Sequence, residues 1–187
     1  MRPKRLVAAG ALVLGIAGAA LGTAFATHPF HQVVDASWAG AYPSYEEMTQ
    51  HADVVVSGHV VAENGSEVSP QATSLVYTNY EFQVDRWIVG PPAAKGILLH
   101  QRGGSHGLTS SEIRDDPPLR VGEKDILFLK MYEPGKYYVL GGPTGRFVVR
   151  DDGTVKNLPG GLIRVAESQP SIETKLARIA AIQGKTS

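Results

Sequence analysis

Asp53-Val54-Val55-Val56-Ser57-Gly58-His59-Val60-Val61 is dense in β-branched residues, the side chains that suit a pleated, buried backbone. Gly58 interrupts it and predicts a bulge or sharp bend in one long, strongly coiled strand. Downstream, Thr78, Tyr80, Phe82 and Val84 alternate with Asn79, Glu81, Gln83 and Asp85. That period of two marks a strand with one buried and one wet face. A third apolar run, Ile126-Leu127-Phe128-Leu129, follows Val121-Gly122-Glu123-Lys124-Asp125 and is short enough to be a strand buried on both faces. These three segments predict one shared interior holding Val54, Val56, Phe82, Val84, Leu127 and Leu129.

Working outward, Asn64-Gly65 and Ser69-Pro70 predict a polar loop between the first two strands. Trp87, Ile88 and Val89 carry the second strand to a stop at Gly90-Pro91-Pro92. Ile97 to Gln101 is a third strand ending at Gly103-Gly104, and 104–118 is expected to be a long polar loop. Tyr137 to Leu140 and Arg146 to Arg150 are further strands around Gly141-Gly142-Pro143, and Asp152-Gly153 turns the chain toward Val155. Short strands without intervening helices indicate a closed or nearly closed antiparallel barrel rather than a parallel sheet.

Helices are expected only at the ends of the barrel. Ser44-Tyr45-Glu46-Glu47 is a capping box that starts a short helix to about His51. Ser171 to Gln183 places Ile172, Leu176, Ile179 and Ala180 on one helical face, with Gly184 as the stop. The fold class is therefore mainly β, a small antiparallel barrel with a short N-terminal helix and an amphipathic C-terminal helix. Its expected boundaries are an irregular lead-in at 27–43, the barrel at 44–167, and the C-terminal helix and tail at 168–187.

The segment before the lead-in reads as an export signal. Arg2, Lys4 and Arg5 precede an uncharged run from Leu6 to Phe25, and Ala24-Phe25-Ala26 offers small residues for cleavage before Thr27. Left uncleaved, the same run is long enough to anchor the chain in a membrane. Both readings place the domain outside the cytoplasm, secreted or envelope-held.

Composition narrows the function further. The 187 residues suffice for one domain with a single core. Lysine plus arginine and aspartate plus glutamate each total 18, so no net field draws the chain to nucleic acid. With 21 glycines, 12 prolines and 7% aromatic residues, many turns between short strands are expected. Cysteine is absent, which removes disulfides, thiolate metal sites and a cysteine nucleophile.

The order Ala52-Asp53-Val54-Val55-Val56-Ser57-Gly58-His59-Val60, Tyr80-Glu81-Phe82-Gln83-Val84 and Val121-Gly122-Glu123-Lys124-Asp125-Ile126-Leu127-Phe128-Leu129 resembles the OB-fold modules of tissue inhibitors of metalloproteinases and netrin C-terminal domains. More closely, it is similar to uncharacterised secreted bacterial domains with the same ordering. The resemblance spans about residues 52–150 and implies an OB-like barrel with an interaction role. Those inhibitors insert a cysteine-anchored N-terminus into their target, so inhibition does not carry over to a chain without cysteine.

Four constellations bear on chemistry. Gly103-Gly104-Ser105-His106-Gly107 fits the G-x-S-x-G nucleophile elbow after a strand. That architecture needs a helix after the serine and a later histidine to take its proton, and no histidine follows His106. The motif is read as a glycine turn; the rival functions are a secreted hydrolase centred on Ser105 and His106, and a structural envelope protein held by its uncleaved N-terminus. His28, His31, His51, His59, His100 and His106 show no metal-ligand spacing, so no metal or other cofactor is expected. Tyr77, Tyr80, Trp87, Tyr132, Tyr137 and Tyr138 divide between core and a surface platform for polysaccharide or peptide, with Tyr77 and Tyr137 expected outside. Gly141-Gly142-Pro143-Thr144-Gly145 lacks the lysine and helix of a phosphate loop. The leading expectation is a non-catalytic binding module for an envelope protein or polysaccharide. Its contact surface is the 103–118 loop and adjacent strands, with Arg102, Ser105, His106, Tyr77 and Tyr137 as candidate binding residues.

Overall fold

A computed structural model describes residues 30–36, 38, 40, 42–69 and 75–185. The export segment and His28 lie outside these residues. Five strands close into a barrel: β2 (Val54–Val68), β3 (Val76–Val89), β4 (Gly96–Arg102), β7 (Lys124–Glu133) and β8 (Lys136–Val139). Their order around the barrel is β7-β2-β3-β4-β8, and β8 returns to pair with β7. All of these pairings are antiparallel except β4 with β8, where Leu98 and Leu99 run parallel to Lys136 and Tyr137. The one parallel contact closes the cylinder: β8 forms a hairpin with β7, and the barrel can close only if β8 meets β4 in that sense. Outside β7 the sheet continues through β9 (Arg146–Val149) and β10 (Val155–Asn157).

The continuous apolar runs are explained by burial on both sheet faces. Val54, Val56, Leu127 and Leu129 point into the barrel with Phe82 and Val84. Val55, Ile126 and Phe128 point outward into a second apolar cluster. This outer layer is covered by α1 (Tyr45–His51) and α2 (Gln169–Ile182), which contribute Met48, Ile172, Leu176 and Ile179. The expected single core is thus two cores sharing one sheet. On β3, Glu81 is exposed while Tyr80 and Phe82 are buried, the alternation of a strand with one solvated face.

Local chemistry sets the ends of these elements. Ser44 caps α1 by accepting from the Glu47 N–H at 3.2 Å. Beyond α2, Gly184 turns at φ +71° and brings Lys185 onto α1, where its Nζ donates to the carbonyls of Thr49 and Ala52. A cation there complements the negative end of the helix. Arg86 on β3 meets Glu173 of α2 at 2.9 Å. Gly58 lies at a register shift in the β2–β3 ladder, and a Cβ there would fall 2.1 Å from the Gln83 carbonyl oxygen. A close backbone approach of that kind admits only glycine.

Three expected loops are structured. The lead-in contains β1 (Phe30–Val34), and the 104–118 segment contains β5 (Gly104–His106) and β6 (Thr109–Ile113). Together they form a small sheet ordered β1-β6-β5, with β1 parallel to β6. These strands are short and carry no alternation of apolar and polar residues, so the sequence does not mark them. Asn64-Gly65 lies inside β2, where the Glu63/Ser66 register shift accommodates Gly65 at φ +86°.

Candidate functional site

The outward phase of β3 places Tyr77 in register with Glu67 of β2 and Arg102 of β4. Cross-strand partners project from the same face, so these three side chains stand side by side. One step along, Asn79 is opposite His100. The His100 and Tyr77 rings stack at 4.4 Å with only 9° between their planes. Tyr132 tilts against His100 at 5.4 Å, and Tyr138 lies 6.5 Å from Tyr132. Four rings from β3, β4, β7 and β8 thus form a ladder along one wall of a cleft of about 530 Å³.

Trp38 also lines the cleft. Its indole N–H donates to Asp115 at 2.9 Å, and its ring lies over Gly142, where a Cβ would fall 2.4 Å away. Gly142 also has φ +55°, and it opens a short 3-10 turn, Gly142–Gly145, between β8 and β9.

Below the cleft, Gln101 clamps the chain before β7 by donating to the Pro117 carbonyl and accepting from the Leu119 N–H, both at 3.0 Å. Arg146 reinforces the clamp: it is almost fully buried and donates to the Pro117 carbonyl at 2.6 Å. Its guanidinium also meets Glu123, Asp125 at 3.4 Å and Asp116 at 3.9 Å. One cation faces three carboxylates there, so full ionisation is opposed. Burial pushes Asp116 up to about 6 despite a hydrogen bond from Gln101 and the pull of Arg146. Burial likewise pushes Asp125 up to about 7, with Arg146 opposing and Glu123 adding to the rise. Asp116 contributes to the cleft lining.

Burial lowers the His100 pKa, only partly offset by Glu67. Its Nδ1 lies 2.8 Å from Asn79 Oδ1, a contact that assigns the ring proton to Nδ1 and leaves the lone pair on Nε2. The His100 ring is therefore a neutral member of the wall at pH 7.

The residues singled out in the sequence are divided by the fold. Tyr77 and Arg102 line the cleft, and Arg102 also lines a second cavity of about 220 Å³ together with Ser105. His106 lines neither; its Nδ1 is 2.6 Å from the Ser66 carbonyl. Tyr137 is corrected: it is 5% exposed and packs inside the barrel, while its neighbour Tyr138 is 42% exposed. In a Tyr-Tyr pair the pattern carries no phase, and a one-residue change of register exchanges inside for outside. Tyr80 is also core and Trp87 packs half-buried against it, leaving Tyr77, Tyr132 and Tyr138 on the surface. Trp38, Glu67 and His100 were missed as cleft residues, since only tertiary contacts bring them together.

The G-x-S-x-G match has a steric explanation. Gly103 and Gly104 adopt φ +102° and +120°, and a Cβ on Gly104 would lie 2.0 Å from Thr78 Oγ1. The serine stands in β5 opposite Ser110, and the next element is a strand, not a helix. A serine hydroxyl that does meet an imidazole is Ser110 Oγ, 3.0 Å from His31 Nδ1, with Glu112 3.8 Å from Nε2. Among the described residues no cluster of three or more histidine or acidic side chains could hold a metal ion, and no helix is long and apolar enough to cross a membrane. Comparison with models of known protein families and with curated proteins finds no match for this chain.

Proposed function

We propose that this chain is an exported, non-catalytic binding module whose ligand site is the Tyr77–His100–Tyr132–Tyr138 cleft. The carrying observation is the place of that cleft. It lies on the face of the second and third barrel strands, β3 and β4, and its lining includes Glu67 to Ser69 at the end of β2 and Glu133 between β7 and β8. OB barrels bind ligands on that face and on those two connections, in keeping with the interaction role implied by the resemblance to netrin-type modules. The volume is in the range of a small-molecule or short-oligomer site, about 300–1,000 Å³. Polar and aromatic groups converge in it.

The test is to titrate the mature domain with envelope saccharide fragments and peptides while following backbone NMR shifts. Shifts are expected around Tyr77, His100 and Tyr138, and Tyr132→Ala should remove them. Ligand shifts confined to other surfaces would overturn the assignment.

A second reading, a serine hydrolase, is favoured by one observation, the Ser110–His31–Glu112 alignment. An imidazole within hydrogen-bond reach of a hydroxyl is the arrangement that activates a nucleophile. The binding reading expects no fluorophosphonate labelling, and labelling abolished by Ser110→Ala would replace it.

A further inference from the structure

Resting on the cleft as the ligand site, we infer that its occupant presents an alkylated ammonium group, seated against the faces of Tyr132 and Tyr138 and drawn in by Glu67. The charges around the cleft are arranged for a cation. Glu67 is exposed at the mouth, with His100 Nδ1 3.7 Å away. Burial favours the neutral form of His100, so among the described residues Glu67 has no ion-pair partner that is fully charged. Its charge opposes the fall that burial causes at His100. Glu133 is also in the lining but is matched by Lys136 at 2.7 Å.

The walls complete the match. Tyr132 and Tyr138 are 41% and 42% exposed, an unusual surface expenditure of two rings in a chain that buries Tyr45, Tyr80 and Tyr137. Ring faces carry negative quadrupole density, which attracts a poorly hydrated cation more than it attracts a neutral ligand. Alkylation suits this site better than a bare ammonium, because the methyl groups keep the charge within reach of the rings while shedding the water that a primary amine holds. Arg102 sets a boundary. It is in register beside Tyr77, on the side away from Glu67, and shares the second cavity, so the charge is placed at the tyrosine end of the cleft.

Choline and its uncharged carbon isostere 3,3-dimethyl-1-butanol separate charge from shape. NMR titration of the mature domain should show choline shifting the resonances of Tyr132, Tyr138 and Glu67, with the isostere about tenfold weaker or more. Glu67→Gln should weaken choline about threefold or more, Tyr132→Ala about tenfold, and Tyr132→Phe by less than about twofold, since a phenyl face retains the attraction. Glu67 is exposed, so its variant tests charge without disturbing the fold. Equal binding of choline and the isostere, or indifference to Glu67→Gln, overturns the inference while leaving the cleft as a binding site. A neutral saccharide that binds there when choline does not has the same consequence. Choline shifts that survive Tyr132→Ala, or no choline binding at all, overturn the inference, and shifts lying elsewhere count against the cleft as well. Phosphatidylcholine vesicles run in parallel distinguish sources: co-sedimentation lost in Tyr132→Ala identifies a lipid headgroup, and binding to free choline alone identifies a soluble compound.

Discussion

Gly104 and Gly107 lie three residues apart at positive φ, +120° and +59°, but they differ in surroundings. A Cβ on Gly104 would collide with Thr78 Oγ1, whereas one on Gly107 meets nothing within 4 Å. Gly107→Ala should therefore cost only the left-handed backbone strain, about 1 kcal/mol. Gly104→Ala adds displacement of Thr78, which donates to the Gly103 carbonyl at 2.7 Å, and should cost about 3 kcal/mol or more in urea denaturation. Equal costs would show that Thr78 yields freely. The same comparison applies along β3. Phe82 is fully buried among Val54, Val56, Leu127 and Leu129, so Phe82→Ala should cost about 3–5 kcal/mol. Exposed Glu81→Ala should stay within about 0.5 kcal/mol of the parent. Comparable losses from the two would contradict the inward and outward phases of this strand.

Among the elements, β1 and α1 occupy opposite ends of a stability scale. The side chains of β1 are mainly exposed, including Phe30 at 84%, and the strand is attached by its ladder to β6 alone. Its amides should exchange with solvent by local opening, orders of magnitude faster than those of Val54–Val60 in β2 and Asp125–Leu129 in β7, which are buried on both faces and open only with the whole domain. Equal protection in hydrogen exchange would mean that the small sheet and the barrel unfold as one unit. In contrast, α1 seats Met48 and Tyr45 against the outer core. Ser44→Ala should destabilise the domain by about 1 kcal/mol through loss of the cap, measured as a lower denaturation midpoint with unchanged m-value.

At the scale of the whole molecule, pH acts through the carboxylates around Arg146. Asp116 and Asp125 have folded pKa values of about 6 and about 7, above the unfolded value of about 3.9. The folded state holds more protons between these limits. The stabilisation is complete below the unfolded value and is lost as pH rises through 6 and 7. Asp152 and Glu167 work in the opposite sense. Hydrogen bonds from Thr154 and from Lys175 hold them below the usual carboxylate range, so their contribution is lost on acidification below about pH 4. Stability should therefore peak near pH 4–5 and decline toward pH 7.5. Converted at about 1.4 kcal/mol per pH unit, Asp116 alone accounts for about 2 kcal/mol of that decline. Asp116→Asn, which cannot ionise, should flatten the profile in denaturation experiments at several pH values. An unchanged slope in the variant would remove Asp116 from the account.

What the amino-acid sequence determined by itself is the barrel's interior and the two helices. Side-chain alternation on β3 and uninterrupted apolar runs on β2 and β7 allow few other burials, and Ser44 and the Ile172, Leu176, Ile179 spacing mark the helices locally. Periodicity reports how deeply a face is buried but not what covers it. The division of the apolar runs between two cores, the parallel β4–β8 closure and the β1-β6-β5 sheet were decided only in three dimensions. The cleft was decided there too. Trp38, Glu67, Tyr77, His100, Tyr132 and Tyr138 are spread over a hundred residues and share no local pattern. Their meeting depends on β8 taking the register that turns Tyr137 inward and Tyr138 outward, a choice made by packing against Leu99 across the parallel pair. Two adjacent tyrosines have equal claims on the core, and only the neighbouring strand distinguishes them.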